Sequence, residues 1–135
     1  HKFTDHKETL IFGNENADTF VFNKKWAFGN QIHARGGDDS ITTKHSQDAS
    51  LGKGDDYYYI KGDNSAHNIS LGDGKDWVML RTGKSNYFKI NDFSYLDDII
   101  TTDNFSDTYS DKLKAKLVKP SGSKDLTGAF LKFIL

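Results

Sequence analysis

Three short segments of this chain repeat one order of residues: Gly36-Gly37-Asp38-Asp39-Ser40-Ile41, Gly52-Lys53-Gly54-Asp55-Asp56-Tyr57-Tyr58 and Gly72-Asp73-Gly74-Lys75-Asp76-Trp77-Val78. In each, a glycine lies two residues before an aspartate and an apolar residue two after it. Glycine lets a backbone turn tightly and present its carbonyls. The aspartate adds a hard carboxylate oxygen, and the apolar residue points the other way, into a core. A turn of this kind can bind calcium while the strand beside it builds a solenoid.

Asp39, Asp56 and Asp76 are 17 and 20 residues apart, and Asp18 lies 21 before Asp39. The units Ser50–Ile60 and Ser70–Leu80 match along their whole length. Weaker half-repeats fall between them at Asn30-Gln31-Ile32, Ser46-Gln47-Asp48 and His67-Asn68-Ile69-Ser70. Two half-repeats of about nine residues make one coil of about 18, the dimension of a small β-solenoid. The segment Asn23–Phe28 exceeds this period and is expected to bulge as a longer loop.

At these residues the chain resembles the nonapeptide repeats of RTX proteins, over roughly residues 10 to 93. The resemblance implies an all-β parallel β-roll, a β-helix-like solenoid of short strands with calcium between stacked turns, held by turn carbonyls and by aspartates of successive coils. Carried over by position, Asp39, Asp56 and Asp76 match the ligand aspartate. Gly37, Gly54 and Gly74 match the glycine two before it, and Gly52 and Gly72 the glycine four before it. Asp18 matches with Gly13 alone in support. The opposite row of turns places Asn30, Asp48, His67 and Tyr87 where further aspartates would fall, and the net charge is only −1. Calcium is therefore expected along one edge, as about two ions within a range of one to three, with the other edge closed by hydrogen bonds among Asn, Ser and His.

The segment Tyr87–Phe93 with Leu96–Ile100 looks like the Ile-x-Asp-Phe … Asp-x-Ile stretch that closes RTX arrays. We divide the chain into a roll over 1–93 and a β-rich C-terminal cap over 94–135. A solenoid end exposes unpaired strand edges and needs such a cover. Lys112–Val118 alternates at period two and reads as a strand with a solvated lysine face, and the apolar tail to Leu135 as another cap strand.

Ile41, Tyr58, Ile69 and Val78 should point inward, which turns Tyr57, Tyr59, Trp77 and Met79 outward. The outer aromatic row is either a platform for sugar rings or a surface covered by the cap or by the Trp26–Phe28 loop. The five histidines share no spacing, and no catalytic motif is present, so this chain is not expected to be an enzyme. Without cysteine it has neither disulfides nor thiolate metal sites. No apolar run reaches membrane-spanning length, and the charge gives no nucleic-acid footprint. The resemblance implies the calcium-binding module of a larger secreted, extracellular bacterial toxin, adhesin or hydrolase. Its partners would be upstream domains of the same polypeptide and a type I secretion machinery reading a signal in the tail. A host-cell receptor or glycan is the partner of the alternative reading.

Overall fold

The computed structural model describes residues 1–62, 64–80, 87–94, 96–102, 114–118 and 130–134, the last two segments by backbone alone. Its strands are β1 (Lys2–Thr4), β2 (Leu10–Phe12), β3 (Thr19–Phe22), β4 (Asn30–His33), β5 (Ser40–Thr43), β6 (Gln47–Ser50), β7 (Tyr57–Ile60), β8 (Ala66–Ser70), β9 (Trp77–Leu80), β10 (Tyr87–Ile90) and β11 (Ile99–Thr102). The odd-numbered strands form one parallel sheet in the order β1-β3-β5-β7-β9-β11. The even-numbered ones form a second, β10-β8-β6-β4-β2. The chain thus winds as a β-solenoid in which each coil adds one strand to each sheet, and no helix occurs among the described residues.

Alternation along the strands fixes which face looks inward. Phe20, Phe22, Ile41, Tyr58, Ile60 and Val78 from the first sheet meet Ile11, Ile32, Ala49, Ile69 and Ile90 from the second, all buried. Leu51 and Leu71 fill the corner that leads from the second sheet into the glycine turns. Register follows the core: Ile41 pairs with Tyr58 and Tyr58 with Val78, so each coil stacks its inward residue on the last. A slip of one residue would turn the apolar set outward.

The same register corrects two positions of the second edge. Asn30 aligns with Gln47, and Gln47 in turn lies one coil before His67, so Gln47 takes the inward place expected for Asp48, which is exposed. Likewise Phe88, not Tyr87, aligns with His67, and Tyr87 is exposed. The turns there are irregular in length, which hides the phase of the following strand.

β12 (Lys114–Val118) and β13 (Phe130–Ile134) form a separate antiparallel pair, and β13 runs beside β10. A β-rich C-terminal segment therefore follows the solenoid. Lys112, Lys119 and the stretch 121–129 lie outside the described residues, as do the side chains of β12 and β13. The expected solvated lysine face and the tail signal fall there.

Candidate metal-binding edge

The turns that precede the first-sheet strands stack into one edge of the solenoid. Asp18, Asp39, Asp56, Asp76 and Asp98 occupy the same place in successive coils, immediately before β3, β5, β7, β9 and β11, and all five are buried. Four of the carboxylates, those of Asp39, Asp56, Asp76 and Asp98, tie their coil to the one before. Oδ1 of Asp39 accepts from the Asp18 amide at 2.8 Å, that of Asp56 from the Asp39 amide at 2.8 Å, and that of Asp76 from the Asp56 amide at 2.9 Å. Asp98 Oδ1 completes the ladder from the Asp76 amide at 3.0 Å. A residue without a side-chain acceptor at any rung would leave a buried amide unpaired.

The second oxygens divide the row. In the two outer turns they are satisfied locally: Asp18 Oδ2 accepts from the Asn14 amide at 2.7 Å, and Asp98 Oδ2 from the Ser94 amide at 2.9 Å. In the three central turns Oδ2 of Asp39, Asp56 and Asp76 is buried with no hydrogen-bond partner. Asp18 has an unpartnered oxygen of its own, Oδ1, which lies 3.4 Å from the backbone nitrogen of His1.

Backbone geometry explains the difference. Gly54 and Gly74 both have φ +116°, and Gly37 has +90°. A Cβ on Gly54 would sit 2.2 Å from the Gly37 carbonyl oxygen, and one on Gly74 2.0 Å from that of Gly54. The stacked turns therefore need glycine both for φ and for contact, and they line the edge with carbonyl oxygens. Gly52 and Gly72 likewise have positive φ, at +84° and +80°. The corresponding place in the first of the three turns is held by Arg35, which keeps the same left-handed conformation at φ +72° without being glycine.

Outside the buried ladder runs a second one. Asp38 Oδ1 accepts from the Asp55 amide, and Asp55 Oδ1 from the Lys75 amide, both at 2.8 Å. Asp92 terminates the stack by accepting from the amides of Leu71 and Gly72 at 2.7 and 2.8 Å. Crowding of carboxylates and burial together shift protonation. Burial pushes the Asp39 carboxyl up to about 6, Asp76 to about 7 and Asp56 to about 8, with neighbouring aspartates adding to the rise and the ladder hydrogen bonds opposing it. Asp98 is raised as well, chiefly by burial.

An unpartnered buried carboxylate oxygen requires a proton or a cation. The donor set fits calcium, a hard cation that takes carboxylate and carbonyl oxygens. Asp39, Asp56 and Asp76 with the carbonyls of their glycine turns would hold it. Among the described residues no three acidic or histidine side chains converge on one point, so turn carbonyls would have to complete any coordination shell.

The sequence-predicted residues Asp18, Gly37, Asp39, Gly52, Gly54, Asp56, Gly72, Gly74 and Asp76 all lie on this edge. Asp98 and Asp92 were not anticipated. Asp98-Ile99-Ile100 carries the same aspartate-to-apolar spacing as Asp76-Trp77-Val78, but without glycines before it. The opposite edge is closed differently. Asn30 Nδ2 donates to Gln47 Oε1 at 3.0 Å, Gln47 Nε2 to the Ala27 carbonyl at 2.8 Å, and buried His67 bridges Tyr58 Oη and Ser65 Oγ, both at 2.8 Å.

The outer aromatic row is present on the first sheet. Tyr57 packs on Trp77 with ring centroids 4.7 Å apart and on Tyr59 at 6.1 Å. Trp77 is 41% exposed and donates its indole N–H to Thr101 Oγ1. Trp26 and Phe28, of the loop that the sequence offers as one cover for this row, are themselves exposed. The chain matches no known protein-family profile, and neither a characterised protein nor a solved structure shows significant similarity to it.

Proposed function

We propose that this chain is a calcium-binding β-roll module, resembling those of RTX proteins, from a larger secreted bacterial toxin, adhesin or hydrolase. One observation carries the reading. Three consecutive coils bury Oδ2 of their aspartate, the oxygen outside the ladder, with no partner, while the flanking coils satisfy that oxygen from their own backbone and Asp18 leaves only its Oδ1 unpartnered. Calcium supplies the charge that these oxygens lack, and with it the repulsion between successive carboxylates becomes attraction to a shared cation. Extracellular calcium modules bind at about 0.1 to 1 mM, so such a device is loaded outside a cell and empty in cytosol. A type I export route, in which the chain passes out loose and tightens on arrival, is consistent with that linkage. The part played by the chain is structural rather than catalytic. A sugar-binding role for Tyr57, Tyr59 and Trp77 is the less supported reading, because the two tyrosines are half-buried and pack on each other.

The test compares thermal melts of the parent chain and Asp56→Asn by circular dichroism, in chelator and in 5 mM calcium. Asparagine keeps an acceptor for the Asp39 amide but removes the charge. Calcium at on the order of ten Kd should stabilise the parent by about 1.4 kcal/mol per site, several degrees in melting temperature. Asp56→Asn should melt higher than the parent in chelator and respond less to calcium. A parent chain whose melt ignores calcium would overturn the proposal.

A further inference from the structure

We propose that the turn between β3 and β4, residues 23–29, is a docking surface for an anionic lipid bilayer. Among the described turns of the second edge it is the longest: 5–9 and 61–65 have five residues each and 44–46 has three. Its extra length makes an exposed tip. Asn23, Lys24, Lys25 and Trp26 are consecutively exposed, Trp26 at 48%, and Phe28 is 38% exposed.

The tip is held rather than loose. Ala27, between the two aromatic residues, is fully buried. Its amide donates to the Lys24 carbonyl at 3.0 Å, and its own carbonyl accepts from Gln47 Nε2 at 2.8 Å. The Phe28 amide donates to the Trp26 carbonyl and the Glu8 amide to the Phe28 carbonyl, both at 3.0 Å. Below the tip, Asp5 Oδ1 accepts from the amides of Asn23 and Lys24 at 2.7 and 3.0 Å. The fold thus anchors the small residue and presents the large apolar ones to solvent, the reverse of what burial alone would favour.

Charge selects the occupant. Lys24 and Lys25 precede Trp26, and Lys7 Nζ sits 5.2 Å from the Phe28 ring centre. None of these three lysines forms an ion pair among the described residues. The nearby acids are Asp5, which accepts from the turn amides and also attracts the Lys24 ammonium, and exposed Glu8, so the three lysines outnumber them. An amphipathic indole beside a phenyl ring and several ammonium groups matches the interface of a bilayer with anionic headgroups. Trp takes the boundary between headgroup and acyl chain, and lysine takes the negative surface potential. An exposed tip of this kind inserts into a fluid surface and has no need of a complementary groove.

The 135-residue chain carrying Trp77→Phe has Trp26 as its one tryptophan. This protein is mixed with phosphatidylcholine vesicles, with vesicles also containing phosphatidylglycerol, and with soluble heparin, each in calcium and in chelator. Trp26 emission should move to shorter wavelength with the anionic vesicles, and the protein should co-sediment with them in preference to neutral ones. Trp26→Ala with Phe28→Ala should lower partitioning about tenfold or more. Lys24→Gln and Lys25→Gln should each lower it about fivefold. Unchanged emission with vesicles overturns the proposal, as does co-sedimentation that the double alanine variant retains. A shift with heparin and none with vesicles would assign the turn to an anionic glycan and equally overturn the lipid surface.

Discussion

At single positions this fold separates residues that merely turn the chain from residues that cannot be anything else. Gly54 adopts φ +116° and leaves a Cβ only 2.2 Å from the Gly37 carbonyl oxygen. Gly36, in the neighbouring coil, has no such φ, and its Cβ would clash with the flexible carboxylate end of Glu15 while meeting the Glu15 Cα at an ordinary 3.8 Å. Gly54→Ala should therefore cost on the order of 3 kcal/mol, from backbone strain plus overpacking against main chain. Gly36→Ala should stay within about 0.5 kcal/mol, since the Glu15 side chain can swing away. Urea denaturation of the two variants checks this, and similar midpoints would show that the stacked turns yield more than their spacing implies. Asp39, Asp56 and Asp76 were legible in the sequence because glycines announce the turn before each of them. Asp98 carries the same rung without that announcement, since Ser94 rather than an open glycine turn frames its carboxylate. The left-handed Arg35 was illegible for a related reason: the conformation is dictated by the coils above and below, against the residue's own preference.

Between elements, the two edges of the solenoid solve one problem with different chemistry. Every coil must satisfy buried groups where its chain turns from one sheet to the other. The first edge uses a repeated carboxylate, which can be copied from coil to coil. The second uses side chains that differ in each coil: Asn30 with Gln47, then His67 with Tyr58 and Ser65. This explains why the first edge was readable and the second misread by one residue. A repeat shows in sequence as period, whereas the Asn30, Gln47 and His67 set shares only a location. The Asn23–Phe28 insertion was visible as excess length, but its anchoring through Ala27 was not. The His67 arrangement can be tested alone. Tyr58→Phe removes the hydroxyl that pairs with His67 Nδ1 and changes little volume, leaving a buried ring nitrogen without that partner. We expect a loss of about 1 to 3 kcal/mol in urea denaturation, with calcium response unaltered because the opposite edge is untouched. A loss of calcium response in Tyr58→Phe would mean that the two edges are coupled through β7.

For the molecule as a whole, packing and the carboxylate edge act on different scales of energy. Phe20, Phe22, Tyr58, Leu51, Leu71 and five isoleucines are fully buried, and each contributes roughly 1.5 to 3 kcal/mol as an upper estimate. A calcium site at ten times its Kd adds about 1.4. Packing therefore makes the solenoid possible, and an edge loaded as proposed would set a margin of the size that decides whether a small domain is folded. That margin depends on pH in a direction that can be worked out. The Asp39, Asp76 and Asp56 carboxyls, raised to about 6, 7 and 8, bind protons more tightly in the fold than in the unfolded chain. Their contribution is complete below the ordinary carboxylate range and is lost as pH rises through 6 to 8. His67 opposes this at lower pH. Burial depresses it to about 3, so its contribution is complete above about 6.5 and declines as pH falls below that. Between pH 6.5 and 8 the aspartates act nearly alone. Calcium-free protein should accordingly gain about 1 kcal/mol as pH is lowered from 8 to 6.5, after discounting for solvent at the turns. In 5 mM calcium the slope should flatten or reverse, because bound carboxylates are already deprotonated and metal uptake releases their protons. Urea midpoints at the two pH values, with chelator and with calcium, supply the four numbers needed. A calcium-free midpoint that is level or rises with pH would mean that the buried oxygens of Asp39, Asp56 and Asp76 find partners in solution. The edge would then be a hydrogen-bonded ladder like its opposite, with no use for a cation.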